Sequence, residues 1–117
     1  MDNNTGGIKG LKFNMITAQK YVREHMSQPE LYRQTAEAAA DLAQACLKYL
    51  RSLEGTNPCE EQDSEVYMNK IIEEYSDVAN AAEVARIHLD YGIIAYKAER
   101  WADRLKALEE SEGANNE

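Results

Sequence analysis

The chain has 117 residues, of which 44% are apolar and 29% charged, and its formal net charge is −8. This length allows one domain with a modest core, and the apolar fraction is typical of a globular protein and excludes a disordered one. The negative charge argues against a general affinity for nucleic acids or anionic membranes. No apolar run approaches the roughly 18 residues of a membrane span.

Ala, Leu, Glu, Lys and Gln dominate the interior of the sequence and favour helices, so we expect an all-α fold of about four helices. Glycines and asparagines crowd residues 1–14, which predicts a flexible N-terminal segment before a single domain over residues 15–110. A short first helix is expected over residues 16–26. The tail, residues 111–117, is expected to fray.

The second and third helices have clear boundary signals. Ser27 is a candidate N-cap with Pro29 in the first turn, which predicts a helix from there to about Leu53. Gly55 ends it, and Asn57-Pro58 predicts a turn. A third helix is expected over residues 64–91, and a fourth over residues 93–108 after an interruption at Gly92.

The two long helices are expected to run antiparallel and to need a partner. About 25 residues span about 38 Å at 1.5 Å per residue, more than the diameter of a small domain. A homodimer or higher homo-oligomer would complete the bundle. A slender monomeric bundle is the alternative.

The N-terminus lacks the hydrophobic core of a signal peptide, which predicts a cytoplasmic protein. Cys46 and Cys59 are then expected to be reduced thiols, although their spacing leaves a disulfide open.

The third helix carries carboxylates near its apolar stripe. At about 100° per residue, Glu74 projects close to Val78, and Asp77 lies at the border of the stripe. Glu73 and Asn80 are expected on the solvated side. Because an unpaired buried carboxylate costs several kcal/mol, Glu74 needs an Arg or Lys partner or a divalent cation.

The second helix offers acids that could face the third. Asp41 lies near the edge of its apolar face, one turn after Ala38, and Glu37 is expected to point away from the core. Carboxylates from two facing helices are a common way to hold Mg²⁺. A di-iron site would need Glu-x-x-His, which is absent at a useful place, so His25 and His88 are expected to be surface or core residues.

These acids lie in a pattern that resembles a known family. "EEYSD" from Glu73 and "EAAAD" from Glu37 resemble the EExxD and EExxE motifs of the all-α nucleoside triphosphate pyrophosphohydrolases, in particular the short MazG-like proteins of phages and bacteria. "LAQACLKYLRSLEGTNP" from Leu42 and "YKAERWADRL" from Tyr96 extend the resemblance, which covers residues 31–108.

The resemblance implies a MazG-like bundle with a Mg²⁺ site, in which Mn²⁺ could substitute. The implied ligands are Asp41, Glu74 and Asp77, with Glu74 and Asp77 also catalytic. Ala38 stands where the family has a fourth acid, and Glu37 is a possible substitute for it. The implied reaction is attack of water on the α-phosphoryl group of a nucleoside triphosphate, which releases the monophosphate and pyrophosphate.

Basic residues are available for the phosphates. Lys48 lies two turns after Asp41, and Lys97, Arg100 and Arg104 share a face of the fourth helix. Solvated surface residues that pair with nearby acids are the alternative. Trp101 could stack on a base, or pack in the core or a subunit interface.

Two functions therefore stand at this point. The first is a Mg²⁺-dependent nucleotide pyrophosphohydrolase, weakened by Ala38. The second is an inactive MazG-like helical protein that binds a nucleotide or another protein.

Overall fold

The computed structural model describes residues 7–55 and 64–115, with side chains for residues 14–55 and 64–114. The described residues form four helices and no strand, which confirms the all-α class. The helices are α1 (Gly7–His25), α2 (Gln28–Glu54), α3 (Ser64–Val84) and α4 (Tyr91–Asn115). The predicted Asn57-Pro58 turn and Cys59 lie outside the described residues. The chain divides into two compact units, the first ending at Ile87 and the second beginning at His88.

α2 begins and ends where the sequence predicts. The Ser27 hydroxyl accepts a hydrogen bond from the Glu30 N–H at 3.3 Å, and Pro29 occupies the first turn. Gly55 adopts the left-handed conformation (φ 70°), and its N–H donates to the carbonyls of Arg51 and Ser52. A residue without a Cβ suits this position, because a side chain there would be strained.

α1 begins at Gly7, well before the predicted start at residue 16. The expectation of an irregular segment up to residue 14 was wrong for residues 7–14. Ile8, Leu11 and Met15 already have helical spacing in the sequence. Gly10 does not prevent the helix, because one glycine inside a helix costs only about 1 kcal/mol.

α3 ends at Val84, seven residues before the predicted end. The Arg86 N–H donates to the Glu83 carbonyl at 3.0 Å, and the Ile87 N–H donates to the Ala82 carbonyl at 2.8 Å. These two bonds form a Schellman motif around Arg86, which has a φ of 61°. The motif normally carries glycine, so an arginine at this position does not indicate a helix end.

α2 and α3 pack against each other as an antiparallel pair. The α2 side chains that are not exposed recur at alternating spacings of four and three, as in a coiled-coil seam. They are Leu31, Thr35, Ala38, Leu42, Ala45, Tyr49 and Ser52. On α3 the matching positions are Tyr67, Ile71, Glu74, Val78 and Ala81. Tyr49 and Tyr67 stack across this seam with ring centroids 6.4 Å apart, which sets the register of the pair.

α1 is held against the C-terminal end of α3 by polar contacts. Arg23 Nε donates to the Val84 carbonyl at 2.9 Å, and Arg23 Nη2 donates to the Glu83 carbonyl at 3.2 Å. A guanidinium group stabilises a helix C-terminus because it satisfies free carbonyls and meets the negative end of the dipole. This contact positions α1 along one flank of the α2–α3 pair.

α4 forms most of the second unit. The Asp90 carboxylate accepts a hydrogen bond from the Ile93 N–H at 3.1 Å and caps the helix. Gly92 therefore lies inside the first turn, where it was expected to interrupt. The helix continues to Asn115, so the prediction of an end near residue 108 was wrong.

None of the described helices has a stretch that is both long and apolar enough to cross a membrane.

Candidate functional site

A cavity of about 490 Å³ lies on the flank of the α2–α3 pair where α1 docks. Side chains from α1, α2 and α3 line it, all from the first unit. Most of its apolar wall comes from Met15 and Val22 of α1, Met26 just after α1, Leu31 of α2 and Val84 of α3. Such a wall can hold a flat organic group, and polar side chains around it would then fix the orientation of that group.

Acids from both helices of the α2–α3 pair line this cavity. Asp41 of α2 and Asp77 of α3 both line it, together with Glu37 and with Ala38 between the two α2 acids. Asp41 and Asp77 flank the α2–α3 seam on the same side, as the helical projection predicts. Three of the four acids that the sequence singled out therefore line this cavity.

Glu37 lies differently from the expectation. It is exposed, as predicted, yet it lines the cavity. On α2 alone, the helical spacing places Glu37 on the side away from the core. Because α1 docks on that flank, the cavity extends outward beyond the seam and reaches Glu37.

Glu74 does not accompany Asp41 and Asp77 among the described residues that line the cavity. It lies in the α2–α3 seam, where only 7% of the residue is exposed, so its predicted burial is confirmed. Lys70 Nζ lies 2.8 Å from Glu74 Oε1, one turn away on α3. The sequence left open a basic partner or a divalent cation for this carboxylate, and the structure supplies the lysine.

The neighbouring acids change the pKa of Lys70. The hydrogen bond to Glu74, and then the charges of Glu73 and Glu74, raise the pKa of Lys70 above its usual 10.5. Glu73 Oε2 lies 3.6 Å from the same ammonium group. One exposed lysine therefore neutralises a buried acid and shares its charge with an exposed one.

Two amides complete the cavity, and sequence reasoning missed both. Gln19 Nε2 of α1 donates to Asn80 Oδ1 of α3 at 2.9 Å, and both residues line the cavity. Asn80 is exposed, as predicted, yet it lines the cavity because α1 docks on that side of α3. Only the position of α1 reveals this pair, and nothing in the local sequence around Asn80 indicates it.

The predicted phosphate-binding residues lie elsewhere in the chain. None of the described cavity-lining residues is basic. Lys48 is an exposed residue of α2, two turns beyond Asp41. Lys97, Arg100 and Arg104 are exposed residues of α4 in the second unit.

The aromatic residues of α4 are also exposed. Trp101 is 66% exposed, and the Arg100 guanidinium lies 5.7 Å from the Tyr96 ring centroid, at cation–π distance. Stacking of Trp101 on a base stays a prediction.

Within residues 7–55 and 64–115, no three Asp, Glu, His or Cys side chains are grouped closely enough to hold a metal ion by themselves. The free thiol of Cys46 is exposed on α2.

Comparison of the chain with protein-family models, with curated proteins and with solved structures finds no match.

Proposed function

We propose that the cavity binds a nucleoside triphosphate through a divalent cation, and that the chain is a weak Mg²⁺-dependent nucleotide pyrophosphohydrolase. The observation that carries this proposal is the presence of Asp41 and Asp77, from two different helices, in one cavity with an apolar wall. The resemblance of "EEYSD" and "EAAAD" to the motifs of this enzyme class supports it from the sequence.

The carboxylate oxygens that line the cavity are suitable ligands for Mg²⁺. Mg²⁺ prefers hard oxygen ligands, and proteins usually hold it with one or two carboxylates while substrate phosphates and water supply the rest. Asp41 and Asp77 offer those carboxylates, and Glu37 lies in the same lining. Since no three acids are grouped among the described residues, the site fits a cation that arrives with its nucleotide better than a preformed protein cage.

A cation bound there would neutralise charge on the phosphates and lower the pKa of an attacking water. The protein's own residues orient the substrate. The carboxylates of Asp41 and Asp77 would bind the cation, and the phosphate chain of the substrate would lie beside them. The wall that includes Met15, Val22 and Met26 accommodates the apolar faces of the base. The hydrogen-bonded amides of Gln19 and Asn80 offer donors and acceptors beside it.

Glu74 is poorly placed for a catalytic role. The family resemblance gives it both a ligand and a catalytic role, but its carboxylate is paired with Lys70 in the seam. For Glu74 to act in the cavity, this ion pair has to open and the side chain has to turn past the adjoining helix surface. We therefore expect slow turnover.

A second candidate is a module that binds a nucleotide without hydrolysing it. Ala38 favours this function, because a methyl group lines the cavity between Glu37 and Asp41, where the family has an acid. The Lys70–Glu74 pair favours it as well, since both features reduce the negative charge available to hold metal ions.

A panel of canonical and modified nucleoside triphosphates with Mg²⁺ tests the proposal, with pyrophosphate followed separately from orthophosphate. Asp77→Asn is the site variant. Glu73→Gln is the matched control, because it also removes one carboxylate charge from α3 but at an exposed position that does not line the cavity.

Pyrophosphate release that is lost in Asp77→Asn and retained in Glu73→Gln is the expected result. Nucleotide binding that depends on Mg²⁺, without release of pyrophosphate, would identify the second candidate. Absence of both binding and turnover across the panel would overturn the proposal.

A further inference from the structure

A second cavity, of about 390 Å³, lies between α1 and the C-terminal end of α3. It adjoins the next face of α1, and Gln19 at the border lines both cavities. Its volume is in the range of sites that hold small molecules. All of its lining residues belong to the first unit. We call it the α1–α3 cavity.

Basic side chains line the α1–α3 cavity from two sides. Lys20 and Arg23 come from α1, and Arg86 follows the end of α3. Glu24 and Glu83 also line it, so the lining carries one more positive charge than negative. The whole chain has a net charge of −8, which makes this a local reversal of sign. Such a spot attracts a small anion, although the chain as a whole repels large polyanions.

Arg23 is fixed in place at this cavity. Its Nε donates to the Val84 carbonyl at 2.9 Å, and its Nη2 donates to the Glu83 carbonyl at 3.2 Å. By covering these carbonyls, the guanidinium group offsets the negative end of the α3 dipole, which would otherwise disfavour an anion there. A guanidinium group has more N–H donors than these two bonds use, so donors remain for a ligand.

Lys20 is held only loosely. Its Nζ lies 3.9 Å from Glu24 Oε1, and both side chains are well exposed. An exposed ion pair at this distance contributes little to stability. The ammonium group can therefore turn towards an anion in the cavity without giving up a strong contact.

Arg86 occupies a position that glycine would normally fill. Its φ of 61° lies in the left-handed region, and it stands at the end of α3 where the Schellman motif reverses the chain. Among the described residues, no ion pair includes the Arg86 guanidinium group. Strained backbone at a residue other than glycine often marks a functional site. A binding role for this side chain would explain why arginine stands there.

We propose that the α1–α3 cavity binds the phosphate group of a small phosphorylated molecule, held by Lys20, Arg23 and Arg86 without a metal ion. Guanidinium groups suit this ligand because their paired N–H donors match two phosphate oxygens at once. The carboxylates of Glu24 and Glu83 would accept hydrogen bonds from hydroxyl groups on the rest of the molecule. The same two acids disfavour a polyanion.

The site is separate from the proposed pyrophosphohydrolase activity and does not depend on it. Asp41 and Asp77 line the other cavity and need a cation to hold phosphate, whereas the α1–α3 cavity offers cations of its own. A ligand bound there would bridge two elements, because Lys20 and Arg23 belong to α1 and Arg86 follows α3. It should therefore hold α1 more firmly against α3.

Calorimetric titration of the full-length chain with inorganic phosphate and with ribose 5-phosphate tests the proposal. EDTA removes divalent cations, so the acidic cavity does not contribute, and sodium chloride keeps the ionic strength constant. Ribose is the uncharged control. Saturable binding of the phosphates, without binding of ribose, is the expected result. If neither phosphate binds saturably, or if ribose binds as tightly as ribose 5-phosphate, the proposal is wrong.

Arg86→Gln and Arg33→Gln form a matched pair of variants. Each removes one guanidinium group, but Arg33 is an exposed residue of α2 that does not line the α1–α3 cavity. Arg86→Gln should weaken phosphate binding about tenfold or more, because a charged hydrogen-bonding group is lost, and Arg33→Gln should leave it unchanged. Equal losses in both variants would mean that only the net charge matters, which overturns the site.

Two further changes at Arg86 separate binding from folding. Arg86→Gly relieves the left-handed strain, so it should weaken phosphate binding as much as Arg86→Gln does in a chain that still folds. Arg86→Lys keeps the positive charge but loses the paired donors, so its phosphate affinity should lie between those of wild type and Arg86→Gln. Full phosphate affinity in Arg86→Gly would contradict the proposal.

Hydrogen exchange locates the bound phosphate. At a phosphate concentration about ten times the Kd, the amides of residues 19–24 in α1 should exchange about tenfold more slowly, because opening of α1 requires release of the ligand. The same protection should be absent in Arg86→Gln. Protection confined to residues 97–104 of α4, which also carry exposed basic side chains, would place the phosphate elsewhere and overturn the proposal.

Discussion

Lys70 Nζ lies 2.8 Å from Glu74 Oε1, and the two ends of this contact are in different surroundings: the lysine side chain is 55% exposed and the glutamate side chain 10%. The acid lies in the α2–α3 seam, where an unpaired charge is poorly tolerated. The lysine lies at the edge of the seam and supplies the neutralising charge.

Replacing Lys70 with methionine should lower the stability of the fold, because it leaves the Glu74 carboxylate in the seam without its partner. The midpoint of urea unfolding measures the effect. Lys20→Met is the matched control, since Lys20 pairs with Glu24 at 3.9 Å and both are well exposed, so its loss should change little. If Lys70→Met and Lys20→Met shift the midpoint of urea unfolding equally, the burial of Glu74 in the seam does not make its partner important for stability.

The contribution of Lys70 should disappear at high pH. Its pKa is raised in the folded chain above 10.5 by the hydrogen bond to Glu74 and the charge of Glu73. A group whose pKa is raised on folding stabilises the fold fully below its unfolded pKa, and this stabilisation is lost as the pH rises through the folded value. The difference in unfolding free energy between wild type and Lys70→Met should therefore stay constant up to about pH 10 and shrink above it. A difference that already declines near neutral pH would contradict this assignment.

Arg86→Gly should stabilise the fold by about 0.5–1 kcal/mol, because Arg86 has a φ of 61° at the end of α3, where glycine avoids the left-handed strain. Arg86→Ala keeps the Cβ atom and is the control, with no comparable gain expected. The thermal unfolding midpoints of the wild type, Arg86→Gly and Arg86→Ala measure the effect. If Arg86→Ala raises the stability as much as Arg86→Gly does, the arginine side chain destabilises the fold and the left-handed backbone conformation does not.

Tyr67→Phe should leave stability unchanged or raise it by up to about 1 kcal/mol, because the buried Tyr67 hydroxyl has no hydrogen-bond partner among the described residues. The ring and its stacking on Tyr49 are preserved. Tyr49→Phe is the comparison, since it removes a hydroxyl from the other ring of the pair. A loss of more than about 1 kcal/mol in Tyr67→Phe would show that the hydroxyl has a partner in the folded protein.

Ala38→Glu should tighten Mg²⁺ binding about tenfold, because it adds a carboxylate to the cavity between Glu37 and Asp41. Calorimetric titration with Mg²⁺, with and without a non-hydrolysable triphosphate, measures it. Ala40→Glu is the matched control, as the same substitution on an exposed part of α2 that does not line the cavity. If both variants bind Mg²⁺ alike, Ala38 does not face the metal.

Local chemistry was enough to predict much of the fold. Ser27 and Gly55 set the ends of α2, since capping depends on neighbours within one turn. Periodicity alone placed Glu74 in the seam, and Asp41 and Asp77 on one flank. These predictions succeeded because they involve positions on a single helix or the simplest pairing of two helices.

The remaining features depend on contacts between distant residues. Arg23 reaches carbonyls about 60 residues away in sequence, and this contact decides which side of the long pair α1 covers. The positions of Asn80 and Glu37 at the cavity follow from it. The end of α3 escaped prediction for another reason, since Arg86 occupies a conformation that the sequence would assign to glycine.

On α2 the seam residues and the cavity-lining acids Glu37 and Asp41 lie on adjoining faces, which decides how this helix tolerates changes of length. Inserting a single residue after Ala40 would rotate every later position by about 100°. Asp41 would move away from the cavity, while Leu42 and Ala45 would leave the seam, although no amino acid had been replaced. Evolution along this helix should therefore accept exchanges of side chains far more readily than changes of length.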